Sequence, residues 1–247
     1  MNRRNLLATF ATLPFSSTAR SAARWQAQWL AGGFDGKIYQ AGLYIEMEPG
    51  WKTYWRNPGN SGIPPEIKAV GDNLAEFSID APLPQRITDE SGEAIGFHDE
   101  VMFLLNLAPK DSTKPLNVEF TSFFGVCELI CTPAKFDGKL SFKPDQISAD
   151  ENLFQQWRGQ VPKPAKIIST TKIENKILTI GIKQQVKDIF VEGPETLYFH
   201  APTFDTHGSE AQIRVSGLKN DQDLKGQDLR ITFNAMGMGL EQTITVT

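Results

Sequence analysis

The chain has 247 residues, 25 basic and 29 acidic side chains, a formal net charge of −4 and 40% apolar residues. This is the composition of a soluble globular protein with room for one large or two small domains. It supplies no basic surface that would call for nucleic acid or an anionic membrane as partner.

Met1-Asn2-Arg3-Arg4 is a basic start, Leu6 to Ser17 is short and apolar, and Ser21-Ala22-Ala23 offers small residues for cleavage. Residues 1–23 therefore read as an export signal, of the general secretory type rather than the twin-arginine type. No later run approaches the 18 apolar residues of a membrane span, so none is expected in the mature chain. Export into the periplasm places any cysteine pair in an oxidising compartment.

From Trp25 the apolar residues alternate with polar ones, in Trp25–Leu30 and then Lys37–Met47, which predicts strands with one wet face. Pro49–Pro65 is too rich in proline and glycine for regular structure, and Trp51, Tyr54 and Trp55 within it are expected to cap a core. Pro65–Lys68, Ala75–Ile79 and the more apolar Val101–Leu107 read as further strands. Between them Thr88–Glu100 reads as an acidic loop holding His98, a solvent-facing or structural histidine. Val118–Phe124 predicts a strand ended by Gly125, and Lys139–Phe142 closes a first domain at residues 24–147. Ser148-Ala149-Asp150-Glu151 fits a capping box, and Leu153, Phe154 and Trp157 share a helical face, giving a helix and linker over 148–164. Alternation then resumes in Ile177–Ile182, Ile189–Val191, Thr196–Phe199, Gln212–Val215, Leu229–Phe233 and Gln242–Val246, predicting a second β-sandwich over 165–247. Met236 and Met238 read as part of a hairpin turn in preference to a copper site.

Cys127 and Cys131 are the only cysteines. Four extended steps would hold their Cα atoms about 13 Å apart, beyond the roughly 4.4–6.8 Å a disulfide tolerates. The chain must therefore bend at Glu128-Leu129-Ile130, with Pro133 withholding a ladder donor just beyond. Closing so short a loop stabilises by only about 2 kcal/mol, so the pair is a weak staple and suits a bond that opens and closes. A static local disulfide and, more weakly, metal binding remain as alternatives at this point.

The order Pro49-Gly50-Trp51-Lys52-Thr53-Tyr54-Trp55-Arg56-Asn57-Pro58-Gly59, then Gly96–Val101, then Gly125-Val126-Cys127-Glu128-Leu129-Ile130-Cys131-Thr132-Pro133-Ala134 resembles the periplasmic N-terminal region of the DsbD thiol:disulfide interchange family, in its suppressor-of-copper-sensitivity B-like branch. The likeness is specific in the first domain and limited to pattern and place in the second. It implies an all-β chain of two immunoglobulin-like β-sandwich domains in tandem, joined by a short helix. It also implies a redox shuttle in which Cys127 and Cys131 are the exchanging pair, with Cys131 forming mixed disulfides. Glu128, Pro133, Tyr54, Phe97, Asp99 and Glu100 are the expected surroundings, and no cofactor or metal is implied. The partners implied are a thioredoxin-like or DsbD-type membrane electron donor and oxidised periplasmic thiol proteins. Family members continue into membrane helices and a thioredoxin-like domain, neither of which these 247 residues hold, so the electrons are expected from a separate protein. The family's aromatic cap has no counterpart in Asp89–Ala94, which leaves Phe97 or Tyr54 to shield the sulfurs. Glu128, with Asp99 or Glu100, is expected to disfavour a thiolate by like charge. Two rival functions follow from the alternatives above, a binding or chaperone-like sandwich with a permanent bond and a copper-handling protein.

Overall fold

The computed structural model describes residues 24–246 apart from 61, 91 and 146, so the proposed export signal lies outside the described residues. The alternation that begins at Trp25 folds as β1 (Trp25–Phe34), β2 (Tyr39–Met47), β3 (Lys52–Tyr54), β4 (Glu66–Val70), β5 (Leu74–Asp80), β6 (Gln85–Asp89), β7 (Gly92–His98), β8 (Glu100–Pro109), β9 (Leu116–Cys127), β10 (Cys131–Lys135) and β11 (Gly138–Phe142). Among the described residues these strands make two facing sheets. One has the order β1-β2-β8-β5; the other runs β10-β9-β3-β7-β6, with β11 and β4 also paired to β9.

β9 organises the second sheet. One edge pairs with β11 at Leu116–Phe120 and β10 at Phe123–Cys127; the other pairs with β4 at Glu119–Phe123 and β3 at Val126–Cys127. Its side chains alternate strictly, because successive residues of a strand point to opposite faces. Leu116, Val118, Phe120, Phe124 and Val126 enter the core between the sheets. There Trp29 stacks on Phe120 at 4.4 Å and Trp25 meets Phe124 edge-on at 5.4 Å. Large aromatic units of this kind dominate core energetics, at about 3–5 kcal/mol for truncating one to alanine.

A helix, α1 (Glu151–Gln160), follows and buries Phe154 and Trp157 in this first core. Its cap differs from the expected box: the N-cap is Asp150, without a side-chain cap bond, while Ser148 Oγ accepts from the Asp150 amide. The remaining strands are β12 (Lys163–Pro164), β13 (Ile168–Glu174), β14 (Ile177–Ile182), β15 (Asp188–Glu192), β16 (Tyr198–Phe199), β17 (Thr203–Phe204), β18 (Glu210–Ser216), β19 (Asp228–Ala235) and β20 (Met238–Thr245). They form a sheet of order β12-β20-β19-β15 facing β13-β14-β18-β16, with β17 beside β18. Their inward residues make a second core. Met236 and Gly237, both at positive φ, form the two-residue turn between β19 and β20, as that hairpin type demands. The chain is thus all-β, two immunoglobulin-like sandwiches with a short helix between them in sequence.

Three segments differ from the sequence reading. β9 continues through Gly125 to Cys127, where a break was expected. Lys52–Tyr54, inside the supposed irregular stretch, is a strand held between β9 and β7. The supposed acidic loop is the β6–β7 hairpin, which returns to the sheet beside β3.

Candidate functional site

Because β9 reaches residue 127, Cys127 falls on the odd-numbered face of the strand, which points away from the sandwich core. Its Cα partners are Cys131 on β10 and Lys52 on β3. Glu128, Leu129 and Ile130 form the tight connection, so the two cysteines stand directly across a hairpin. Their sulfurs lie 3.1 Å apart as two thiols, close enough to bond after a small displacement. Cys127 is fully buried, whereas Cys131 is partly open. Pro133 is exposed on the edge strand β10, where a missing backbone donor is tolerated.

What buries an outward-facing cysteine is a second layer of structure. Tyr54 lies on the same face, its hydroxyl 2.6 Å from Cys131 Sγ, and packs with Ala94 and Cys127 in a small cluster of their own. Two glycines make room for its ring. A Cβ at Gly62 would come within 2.4 Å of it and one at Gly125 within 3.0 Å. Gly125 is therefore in the strand because Tyr54 and Ile63 occupy the space above it. The gap in the ladder at Gly125 is closed by the Gly125 amide donating to the Ile63 carbonyl and by Thr53 Oγ1 donating to the Gly125 carbonyl.

Lys52 shares the face with Cys127, its side chain only 1% exposed, and its Nζ sits 2.5 Å from Asp89 Oδ2 at the tip of the β6–β7 hairpin. Lys52, Asp89 and Ala94 were not singled out as site residues, because a lysine inside a Pro/Gly-rich stretch reads as solvated. The signal was available in the two-residue spacing of Lys52 and Tyr54, which places both on one face once β3 is recognised as a strand.

Burial is the main influence on the Cys127 thiol and pushes its pKa up. The Tyr54 hydroxyl and the Lys52 ammonium act in the opposite direction, and the neighbouring Cys131 adds to the rise. Burial and the two sulfurs also hold the Tyr54 phenol protonated well above its usual range, so it remains a donor for a thiolate. The acids do not act as expected. Glu128 is exposed, and its charge adds a minor contribution at Arg24, which pairs with Glu48. Glu100 accepts the Tyr44 hydroxyl on the other sheet, and Asp99, at φ +62°, takes the Met47 amide on its backbone carbonyl. Phe97 points into the core against Phe103 at 5.9 Å and shields nothing. Of the two aromatics considered as shields, Tyr54 alone covers the sulfurs. Trp55 is buried in the core and Trp51 packs against it, as expected of capping aromatics. His98 Nδ1 lies 3.3 Å from the Trp51 carbonyl, and His200 meets Ser216 and Arg214 in the second domain. Among the described residues no group of three or more His, Cys, Asp or Glu is placed to hold a metal ion, and no helix is long and apolar enough to cross a membrane.

The family model described as thiol:disulfide interchange protein DsbD, N-terminal, matches residues 20–140, and one described as a domain of unknown function (DUF8393) matches residues 160–247. No curated protein sequence matches. Among solved structures, the N-terminal periplasmic domain of ScsB from Proteus mirabilis is similar at a TM-score of 0.72 and 22% identity, over 96% of each chain. The reduced N-terminal domain of DsbD from Neisseria meningitidis matches over 49% of this chain and 86% of its own, at 11% identity and a TM-score of 0.30, too low to bear on the fold. Residues 20–140 therefore match the DsbD N-terminal family model, and the fold of two β-sandwiches in tandem is the one that the ScsB N-terminal periplasmic domain also has.

Proposed function

We propose that the chain is an exported thiol:disulfide exchange module that relays electrons through Cys127 and Cys131. The electrons come from a thioredoxin-like or DsbD-type membrane donor and pass to oxidised periplasmic thiol proteins. The observation that carries this reading is the asymmetry of the pair: one sulfur closed off, one partly open, 3.1 Å apart on a hairpin.

The exchange follows from it. The Cys131 thiolate attacks a partner disulfide, that S–S bond breaks, and the released partner sulfur leaves with the electron pair and takes up a proton. Cys127 then loses its proton and attacks the Cys131 sulfur, forming the Cys127–Cys131 bond and expelling the second partner sulfur as a thiol. Two electrons and two protons have moved to the partner, and a reducing donor reverses the sequence. A buried thiol with a raised pKa stays protonated, and so unreactive, until the mixed disulfide stands next to it. Leu129 and Ile130, at 60% and 81% exposure, present an apolar hairpin tip beside Cys131 to an incoming partner.

Cys127→Ser leaves Cys131 able to attack and nothing to resolve the product. The reduced variant, incubated with a periplasmic extract, should accumulate covalent adducts released by dithiothreitol. Absence of any adduct, with Cys131 still open to alkylation, would overturn the reading in favour of a permanent bond in a binding module.

A further inference from the structure

The two elements that cover the sulfurs are both gripped from behind by the second domain. Arg56 follows Tyr54 by two residues. Its Nε and Nη2 donate to the two carboxylate oxygens of Glu192 at 2.8 Å each, and Nη2 reaches Glu241 Oε2 at 2.9 Å. Its guanidinium also lies 4.2 Å over the Trp55 ring, and Trp55 in turn meets Phe190 of β15 edge-on at 5.9 Å. Asn57 Nδ2 donates to the Val191 carbonyl at 3.2 Å. This segment leads directly into Gly62 and Ile63, which bear on the Tyr54 ring and Gly125.

The β6–β7 hairpin is held in the same way. Arg86 on β6 donates to Asp188 Oδ1 at 3.2 Å, to Oδ2 at 3.3 Å and to the Ile189 carbonyl at 3.2 Å, with its guanidinium over the Phe190 ring. Arg86 also donates to Glu93 Oε1 at 3.2 Å, an oxygen that takes the Tyr198 hydroxyl at 3.1 Å. Glu93 precedes Ala94, which packs on Tyr54 and Cys127, and the hairpin tip supplies Asp89 to Lys52. Phe190 belongs to the first domain's core although β15 lies in the second domain's sheet. These contacts are bidentate, charge-assisted and partly buried, the class of polar contact that fixes geometry as well as adding energy.

We propose that the second domain is a brace for the dithiol cover, with Arg56–Glu192 and the Arg86–Asp188 and Glu93–Tyr198 contacts as its positioning residues. By holding β3 and the β6–β7 hairpin down on the sulfurs, it sets how much of Cys131 is open and how closely Tyr54 stays bonded to it. The inference rests on the exchange reading for its consequence, a redox pair shielded from adventitious reaction. The brace itself is read as access to sulfur, which is measurable whether or not a partner is ever found.

Cys127 and Cys131 are the only thiols, so alkylation of the reduced full chain reports on this site alone. Asp188→Ala removes the Arg86 anchor, and Tyr198→Phe removes a single hydroxyl from Glu93; neither residue touches a sulfur. Losing about one net hydrogen bond from the closed state raises the open population about fivefold. Modification by a polyethylene-glycol maleimide should therefore accelerate about fivefold in Asp188→Ala and by a smaller factor in Tyr198→Phe, with iodoacetamide less affected in each. Amide exchange should rise in residues 52–60 and 85–98 while β1 and β2 keep wild-type protection, a pattern that general destabilisation does not give. Wild-type alkylation rates and exchange in both variants would overturn the brace. If Asp188→Ala proves unfolded, Tyr198→Phe decides alone. Accelerated alkylation in a protein that forms no partner adducts would sink the exchange reading and leave the brace standing.

Discussion

Tyr54→Phe is the most informative single substitution at the sulfurs. It deletes the hydroxyl 2.6 Å from Cys131 Sγ and keeps the ring that fills the space between Gly62 and Gly125, so the cover stays in place. A hydrogen bond to a charged acceptor is worth about 1.5–3 kcal/mol, and one between neutral groups about 1 kcal/mol. The difference, about 1–2 kcal/mol, is what the phenol contributes to a thiolate over a thiol. Burial already pushes the Cys127 thiol up, and the phenol opposes that push, so its loss moves the thiol further in the same direction. With about 1.4 kcal/mol per factor of ten, the thiolate fraction near neutral pH should fall about tenfold. With Cys131 replaced by Ser, so that Cys127 is the only thiol, thiolate absorbance and iodoacetamide kinetics against pH should show a slower reaction at neutral pH and a profile displaced to higher pH. A rate at neutral pH equal to or above wild type would refute the reasoning and reduce Tyr54 to a steric lid.

Further outcomes follow from the same geometry. Lys52→Met removes the cation that favours the Cys127 thiolate, so the Cys127 titration, followed by thiolate absorbance, should move to higher pH, by less than in Tyr54→Phe. Gly96→Ala would place a Cβ 2.0 Å from the Thr53 carbonyl oxygen, and backbone cannot swing aside as a side chain can, so urea denaturation should show a loss of about 2–3 kcal/mol. The pKa of Cys127 is raised in the folded protein, so its share of stability is complete below the unfolded thiol value of about 8.5 and is lost as pH climbs from there toward the folded value. Reduced protein should accordingly have a lower denaturation midpoint at about pH 9.5 than at about pH 7.5, a drop that is smaller in Cys127→Ala, where only the raised tyrosines remain to contribute.

Most of the strand framework was legible because alternation is a local property. Val118 to Phe124 declares its inward face in the sequence alone, as do the strands of the second domain. What escaped was set by contacts distant in sequence. Gly125 has the composition of a breaker, and only the Tyr54 ring, brought over it from more than seventy residues away, shows why a strand residue there lacks a side chain. β3 is three residues long between Pro-Gly pairs, and its conformation comes from β7 and β9 on either side. Asp99 and Glu100 looked like neighbours of the sulfurs through the motif around His98, yet the chain turns at Asp99 and carries Glu100 to the opposite sheet. The cysteines themselves were visible from spacing, and Tyr54 from the family motif. Lys52 was hidden because its two-residue spacing from Tyr54 carries information only once β3 is known to be a strand, and its partner Asp89 lies on another hairpin. The grip of the second domain, from Arg56 to Glu192 across 136 residues, has no local signature at all.

The central claim is that the Cys127–Cys131 link forms and breaks reversibly in the folded protein, and the reduction potential of the pair tests it directly. Equilibration with glutathione and dithiothreitol buffers, followed by the alkylated fraction, should give a value less negative than about −300 mV, within the range of exchanging pairs. A potential more negative than that, or a link that yields to reductant only when the protein is unfolded, would contradict the account and make the bond a fixture of the fold.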